Sequence, residues 1–254
     1  MIRTCRMQRP VAGPGFVGPG AVALLVATAL MTAAQEGREQ DTTVNGLRLP
    51  DDAAPYSEQI YRVPCDNTRN ETTFDFATSV YQAFGCLPDL FGDTLVDLDK
   101  EFNPLPASAE SWSVADDGVT WSFKLREGLM WSDGTPVTAH DYVATFRLEA
   151  TPEHGWDFSW FYSFIGTGGI RNWTSIVAGE RPPEELGVRA VDDLTLEVVT
   201  EGTFPPLPSV MKFSFVLQKR ALEEHGPFYN NDVATSVSSG PYVLVEFDPG
   251  NRIV

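Results

Sequence analysis

Alternating apolar and polar positions predict two β-hairpins in the middle of the chain. Every second residue of VTWSFKL (119–125) is apolar, and SWSV (111–114) precedes it across an Asp-Gly turn. The same alternation recurs in GVRAV (187–191) and LTLEVV (194–199), which an Asp-Asp link joins tightly enough for a hairpin. Each strand would bury one face and expose the other. Together these segments predict an antiparallel or mixed sheet.

Helical periodicity is strongest between residues 139 and 150. Thr138 is a good N-cap, and Asp141 follows three residues later in an arrangement that resembles a capping box. Shorter helices are predicted at 217–226, where Gly226 ends the pattern, and near 175–178.

Two further segments carry mixed signals. The proline-rich stretch TFPPLPSVM (203–211) indicates an extended link or a short helix. The segment SSGPYVLVEF (238–247) predicts a turn followed by a strand. Strands and helices are interleaved without a strict βαβ order, so the fold class is α/β or α+β.

The N-terminus predicts export. A region containing three arginines precedes an apolar run, GAVALLVATALMTAA (20–34), that ends in small residues. We expect a signal peptide at 1–34, with retention as an uncleaved anchor as the alternative. Cys5 precedes the apolar run, which does not fit a lipobox. Residues 35–55 are polar and predict a flexible segment, so the folded part would be 56–254.

Charge and composition exclude several functions. The formal net charge of −17 argues against nucleic acid or an anionic membrane surface as the main partner. Nucleophile-elbow, zincin and phosphate-loop motifs do not occur, and His140, His154 and His225 lack metal-ligand spacing, so we expect no catalytic residue, metal or cofactor. Cys65 and Cys86 form an even pair in an exported chain, which predicts a disulfide between them.

One segment is unusually aromatic. WDFSWFYSF (156–164) carries six aromatic residues in nine and fits neither helical nor strand periodicity. A loop that faces a ligand would have this composition, because ligand pockets are lined mainly by apolar and aromatic groups. Packing beneath a long loop explains it equally well, and the pattern alone leaves both interpretations open.

Three segments together resemble a known family. They are ASAESWSVADDGVTWSFKLREGLMWSDGTPVTAHDYVATF (107–146), AGERPPEELGVRAVDDLTLEV (178–198) and SSGPYVLVEFDPG (238–250). They resemble the oligopeptide-binding branch of the extracytoplasmic solute-binding proteins, the family 5 receptors of peptide and nickel ABC importers. The resemblance implies an α/β, periplasmic-binding type II (Venus flytrap) fold. It also implies an extracytoplasmic or periplasmic monomer that captures an oligopeptide and delivers it to a membrane permease.

The resemblance also assigns a candidate site. The capped helix would belong to an extra sheet domain inserted in the first lobe, and the family's ligand-binding tyrosine falls at or beside Phe158. The segment 79–82 matches another stretch that faces the bound peptide backbone. The resulting ligand-binding set is Ser79, Val80, Tyr81, Gln82, Phe158, Trp160, Tyr162, Gly240 and Tyr242.

The resemblance is incomplete in one respect. Members of the family are much longer, and the second lobe, with its acidic segment for the ligand's terminal amine, has no counterpart here. We therefore expect an N-terminal portion of such a receptor. Two alternative functions stay open: a receptor of the same fold for a nickel chelate, sugar or opine, and an exported hydrolase.

Overall fold

The computed structural model describes residues 73, 75–79, 88–163, 169–249 and 251–254. The predicted signal peptide, the predicted flexible segment 35–55, the Cys65–Cys86 pair and the candidate residues Val80, Tyr81 and Gln82 lie outside these residues. Among the residues described, no helix has the length and apolar character needed to cross a membrane.

Short helices and strands alternate along the described chain. The α-helices are α1 (Pro88–Phe91), α2 (Ala139–Ala150), α3 (Trp173–Val177), α4 (Leu207–Val210) and α5 (Lys219–His225). The strands are β1 (Val96–Leu98), β2 (Pro104–Pro106), β3 (Ala109–Val114), β4 (Thr120–Leu125), β5 (Val188–Asp192), β6 (Thr195–Val199), β7 (Phe247–Asp248) and β8 (Arg252–Ile253). Single 3₁₀ turns occupy Pro183–Glu185, Met211–Phe213 and Tyr229–Asn231.

The two predicted hairpins form one four-stranded sheet in the order β3-β4-β6-β5. All its strand pairs are antiparallel, which decides between the two predicted sheet types. Phe123 on β4 lies opposite Leu196 on β6, and both side chains are fully buried. The alternation read from the sequence therefore marks the buried face correctly. Two smaller antiparallel pairs, β1-β2 and β7-β8, lie outside this sheet.

Helix α2 has the predicted bounds and packs against β5 and β6. Its N-terminal turn is organised by Asp141, which is almost completely buried. One carboxylate oxygen of Asp141 accepts hydrogen bonds from the Thr138 backbone N–H at 2.8 Å and the Trp131 indole N–H at 3.4 Å. The other oxygen accepts the Lys219 backbone N–H at 2.8 Å. The capping acid thus also joins the preceding turn and the start of α5 to the helix.

The turn before α2 is fixed in the same way. The Asp133 carboxylate accepts hydrogen bonds from Gln218 Nε2 at 3.0 Å and from the Arg220 guanidinium at 2.6 Å. The Ser132 backbone N–H donates to the Ser238 carbonyl at 2.8 Å. The turn and the start of α2 thus contact the same distant segment, residues 218–220, and the turn also contacts Ser238.

The segment 238–247 was predicted to be a turn followed by a strand, and the strand is wrong for most of its length, because only the last residue, Phe247, belongs to one. The backbone N–H groups of Gly240 and Tyr242 donate instead to the carbonyls of Phe91 and Leu90 at the end of α1, at 2.8 and 3.2 Å. Pro241, which lies between them, has no N–H for a strand ladder. The segment docks on a helix end instead of extending a sheet.

Candidate ligand-binding site

The aromatic loop divides into an inner and an outer layer. Trp156 and Tyr162 form the inner layer and are buried in the core. The Tyr162 ring centroid lies 4.9 Å from that of Trp173 on α3 and 5.3 Å from that of Phe146 on α2. Because Tyr162 has no exposed surface, its position does not support the predicted direct contact with a ligand.

The outer layer is a continuous set of partly exposed rings, which we call the aromatic shelf. Phe158 lies at its centre, with ring centroids 4.7 Å from both Trp160 and Phe161. Trp160 is 46% exposed, whereas the other rings are partly buried. The shelf consists of Phe76, Phe158, Trp160, Phe161, Phe213 and Phe215.

The turn at residues 75–79 packs directly against this loop. The Trp156 indole N–H donates to the Phe76 carbonyl at 3.0 Å, and His154 Nε2 lies 2.8 Å from the Ala77 carbonyl oxygen. The Ser79 hydroxyl donates to the Asp157 carboxylate. Ser79, the described residue of the predicted 79–82 stretch, therefore meets the aromatic loop and lies beside the shelf.

Gly240 and Tyr242 occupy a different place, on the end of α1. A β-carbon at Gly240 would lie 2.6 Å from the Phe91 carbonyl carbon and 2.7 Å from the Leu90 oxygen, so the close approach requires glycine. Gly240 is buried and Tyr242 is half-buried. The observed role of this pair is to hold the 238–242 segment against α1.

The turn at 75–79 begins with a buried carboxylate. Asp75 accepts a hydrogen bond from Asn230 Nδ2 at 2.8 Å through one oxygen, and its other oxygen has no hydrogen-bond partner. That side chain borders a cavity of about 20 Å³, which is enough for roughly one water molecule. Burial raises the pKa of Asp75 to about 7, although the Asn230 hydrogen bond partly opposes the change.

A second buried acid lies behind the inner layer. Glu149, in the last turn of α2, is 1% exposed, and neither carboxylate oxygen has a hydrogen-bond partner. Burial raises the pKa of Glu149 well above its ordinary value. Burial, and secondarily the nearby Glu149, raise the pKa of Tyr162 well above the usual range. Neither group is accessible to a ligand in solution.

Sequence reasoning missed half of the shelf. Phe76, Phe213 and Phe215 come from segments far from the aromatic loop, and only the fold brings them to it. The alternation in KFSF (212–215) was a usable signal, because it predicts one face that carries both phenylalanines. Elsewhere in the part of the chain that is described, no group of three His, Cys, Asp or Glu side chains is arranged to hold a metal ion.

Comparison with known proteins identifies the family. Residues 103–254, more than half of the chain, match the family described as bacterial extracellular solute-binding proteins, family 5 Middle. The chain belongs to this family. The resemblance of the three sequence segments is thereby confirmed.

Named relatives of this family 5 protein include two periplasmic proteins. The periplasmic oligopeptide-binding protein OppA of Salmonella typhimurium is 38% identical over 168 residues, which cover 65% of this chain and 30% of that protein. The probable deoxycholate-binding periplasmic protein YgiS of Escherichia coli is 34% identical over 167 residues, covering 65% of this chain and 30% of that protein. The matched region thus spans about a third of each relative.

Solved structures agree on the fold. The substrate-binding domain of an oligopeptide ABC transporter from Bacillus anthracis matches with a TM-score of 0.63 and 32% identity, over 73% of this chain and 35% of that one. The family 5 protein therefore has the predicted α/β, type II periplasmic-binding fold over the part that the two chains share.

Proposed function

We propose that this protein is the solute-capturing component of an ABC importer and that its solute is an oligopeptide. The observation that carries the proposal is the aromatic shelf, which lies beside the docked turn at 75–79. Relatives named for oligopeptide binding, at 38% identity in the case of OppA, support the choice of ligand. Membership of a solute-binding family favours binding over catalysis.

The proposed binding mode uses the aromatic loop and the chain around Ser79, which meets it. The turn at 75–79 and the residues that follow it, Val80–Gln82, would face the backbone of an extended peptide. The shelf, at Phe158 and Trp160, would contact a peptide side chain. Hydrogen bonds to the peptide backbone would give affinity for peptides of varied sequence. Contacts with the apolar shelf would favour some peptide side chains over others.

The buried and the partly exposed rings of the site have different roles in this proposal. The buried rings of the inner layer anchor the loop, and the Trp173 indole N–H on α3 also donates to the Ser159 carbonyl at 2.6 Å. The outer rings pack on one another and stay partly exposed, with Trp160 the most exposed of them at 46%. A preformed apolar surface costs little conformational entropy on binding, so weak individual contacts can contribute to affinity.

Location and partner follow from the same proposal. We place the working protein outside the cytoplasm, as a monomer that delivers its ligand to a membrane permease and does not bind nucleic acid. The periplasmic names of its relatives and the predicted signal peptide support this location. Fractionation of the native host, followed by detection of the protein in the periplasmic or extracellular fraction, would test it.

A second ligand class is a rigid amphipathic acid of the bile-acid type. The relative named for deoxycholate binding favours it, and an aromatic surface also suits a steroid ring system. Calorimetric titration of the purified protein with a pool of di- to pentapeptides, and separately with deoxycholate, distinguishes the two. Saturable heat from peptides alone supports our proposal. Saturable heat from deoxycholate alone would overturn it.

Variants connect the binding to the shelf. Trp160→Ala should weaken peptide binding by roughly 1–3 kcal/mol, the scale for truncating a central aromatic contact. Phe102→Ala is the matched control, because Phe102 is 78% exposed at the turn between β1 and β2. Equal loss of binding in both variants would show that the shelf is not the site.

A further inference from the structure

The chemistry of the shelf is unusually uniform. Its six rings are five phenylalanines and one tryptophan, so it contains no hydroxyl group. The indole N–H of Trp160 is the one polar ring atom in the set. The surface that the shelf presents is therefore almost entirely aromatic carbon.

Three separate segments hold the shelf in place. The Phe161 centroid lies 4.7 Å from that of Phe213, and the Phe76 centroid lies 4.7 Å from that of Phe215. The backbone between the central rings is also tied, since the Phe161 N–H donates to the Phe158 carbonyl at 2.9 Å. Such cross-linking from several segments makes the surface preorganised, so binding need not order it.

Charged groups at the rim of the shelf already have partners. The Asp157 carboxylate accepts the Ser79 hydroxyl, and Lys212 Nζ lies 3.0 Å from an Asp97 carboxylate oxygen. A carboxylate on a ligand would lose water against these rings, and Lys212, the described cation beside Phe213, already pairs with Asp97. An apolar side chain would gain dispersion contacts and buried area instead.

We propose that the shelf makes the protein selective for peptides that carry an aromatic or large aliphatic side chain at the position it contacts. This inference rests on the proposed function and adds a side-chain preference to it. Aromatic side chains should bind best, because edge-to-face and offset contacts with phenylalanine rings add to the burial. Acidic side chains should bind worst.

The test uses tripeptides that differ in one side chain. Ala-Ala-Ala is compared with peptides that carry Phe, Leu, Asp or Lys at each position in turn, and binding to the purified protein is measured by calorimetry. At one position at least, Phe should bind about tenfold tighter than Ala, which corresponds to about 1.4 kcal/mol. Leu should be intermediate, and Asp should be weaker than Ala.

Variants show whether the preference comes from the shelf. Trp160→Ala should reduce the Phe-over-Ala ratio to within about twofold, whereas Phe102→Ala should leave it unchanged. A thermal melt of each variant checks that it is folded, and exposure of both side chains makes retention of the fold the expected result.

The outcomes separate this inference from the proposed function. Equal binding of all the tripeptides, or tighter binding of the Asp or Lys peptides than of the Phe peptide, would overturn the selectivity and leave peptide capture standing. A preference that survives Trp160→Ala would also overturn it. Absence of binding by every tripeptide would overturn both.

Discussion

The buried carboxyl of Glu149 leads to a sharp prediction about stability. This side chain is 1% exposed, and its two oxygens have no hydrogen-bond partner. Since burial raises its pKa well above the ordinary value of 4.5, the folded protein favours the protonated acid. Glu149→Gln keeps the shape of that acid and removes its ionisation, so we expect the variant to be more stable at neutral pH.

The direction and magnitude of this change in stability follow from proton linkage. A group whose pKa is higher in the folded state contributes its full stability below the unfolded pKa, and the contribution is lost as pH rises through the folded pKa. In the unfolded chain the carboxyl is ionised at pH 7, so keeping it protonated costs up to about 3 kcal/mol, at about 1.4 kcal/mol for each pH unit above 4.5. Removal of this cost should raise Tm by about 2–4 °C for each kcal/mol recovered.

Thermal unfolding at a series of pH values measures the effect. The two proteins should have similar Tm near pH 4, and Glu149→Gln should gain an increasing advantage towards pH 7. Glu153→Gln is the matched control, because the same charge is removed from an exposed position just after α2; we expect a change within about 0.5 kcal/mol. A lower Tm for Glu149→Gln at pH 7 would show that the native carboxylate is ionised and stabilised, and would refute the reasoning.

Three further predictions concern the structure around the site. Gly240→Ala should destabilise the protein by several kcal/mol in urea unfolding, because its β-carbon would overlap the backbone at the end of α1; Gly128→Ala, where the space is open and only the positive φ matters, should cost only about 1 kcal/mol. Asp141→Ala should lower the free energy of unfolding by about 3 kcal/mol, since three donors, in the turn before α2 and at the start of α5, would lose their acceptor; an unchanged urea midpoint would contradict the role we assign to it. Mass spectrometry of the non-reduced protein should find one linked peptide pair, Cys65–Cys86, whereas two thiols that can be alkylated would remove that prediction.

Sequence patterns predicted the hairpin strands and α2 because residues within or next to each element determine it. The hairpin strands were found from period-two alternation, and α2 from its capping residues Thr138 and Asp141, so both have bounds close to those expected. The prediction of a strand within 238–247 failed because a distant part of the chain determines the conformation of this segment. The backbone N–H groups of Gly240 and Tyr242 donate to α1, which is more than a hundred residues earlier, and no local pattern encodes that contact.

The candidate site was predictable in part for the same reason. The aromatic loop stood out in the sequence. Trp156 and Tyr162 pack in the core, as the packing interpretation expected, while Phe158 and Trp160 belong to the partly exposed layer, where ligand binding stays a prediction. Its partners from other segments depend on tertiary packing. A single aromatic residue such as Phe76 gives no signal until the fold brings it to the loop.

Photochemical cross-linking tests the central claim most directly, because it asks in one experiment whether a peptide binds and where. A short peptide that carries a photoreactive phenylalanine analogue is irradiated with the purified protein, and the linked residues are mapped by mass spectrometry. We predict cross-links within 156–163 and 212–215, which an excess of the unlabelled peptide suppresses. Cross-links that concentrate on the β1-β2 hairpin, or that persist unchanged under competition, would contradict the assignment of the aromatic shelf as the ligand site.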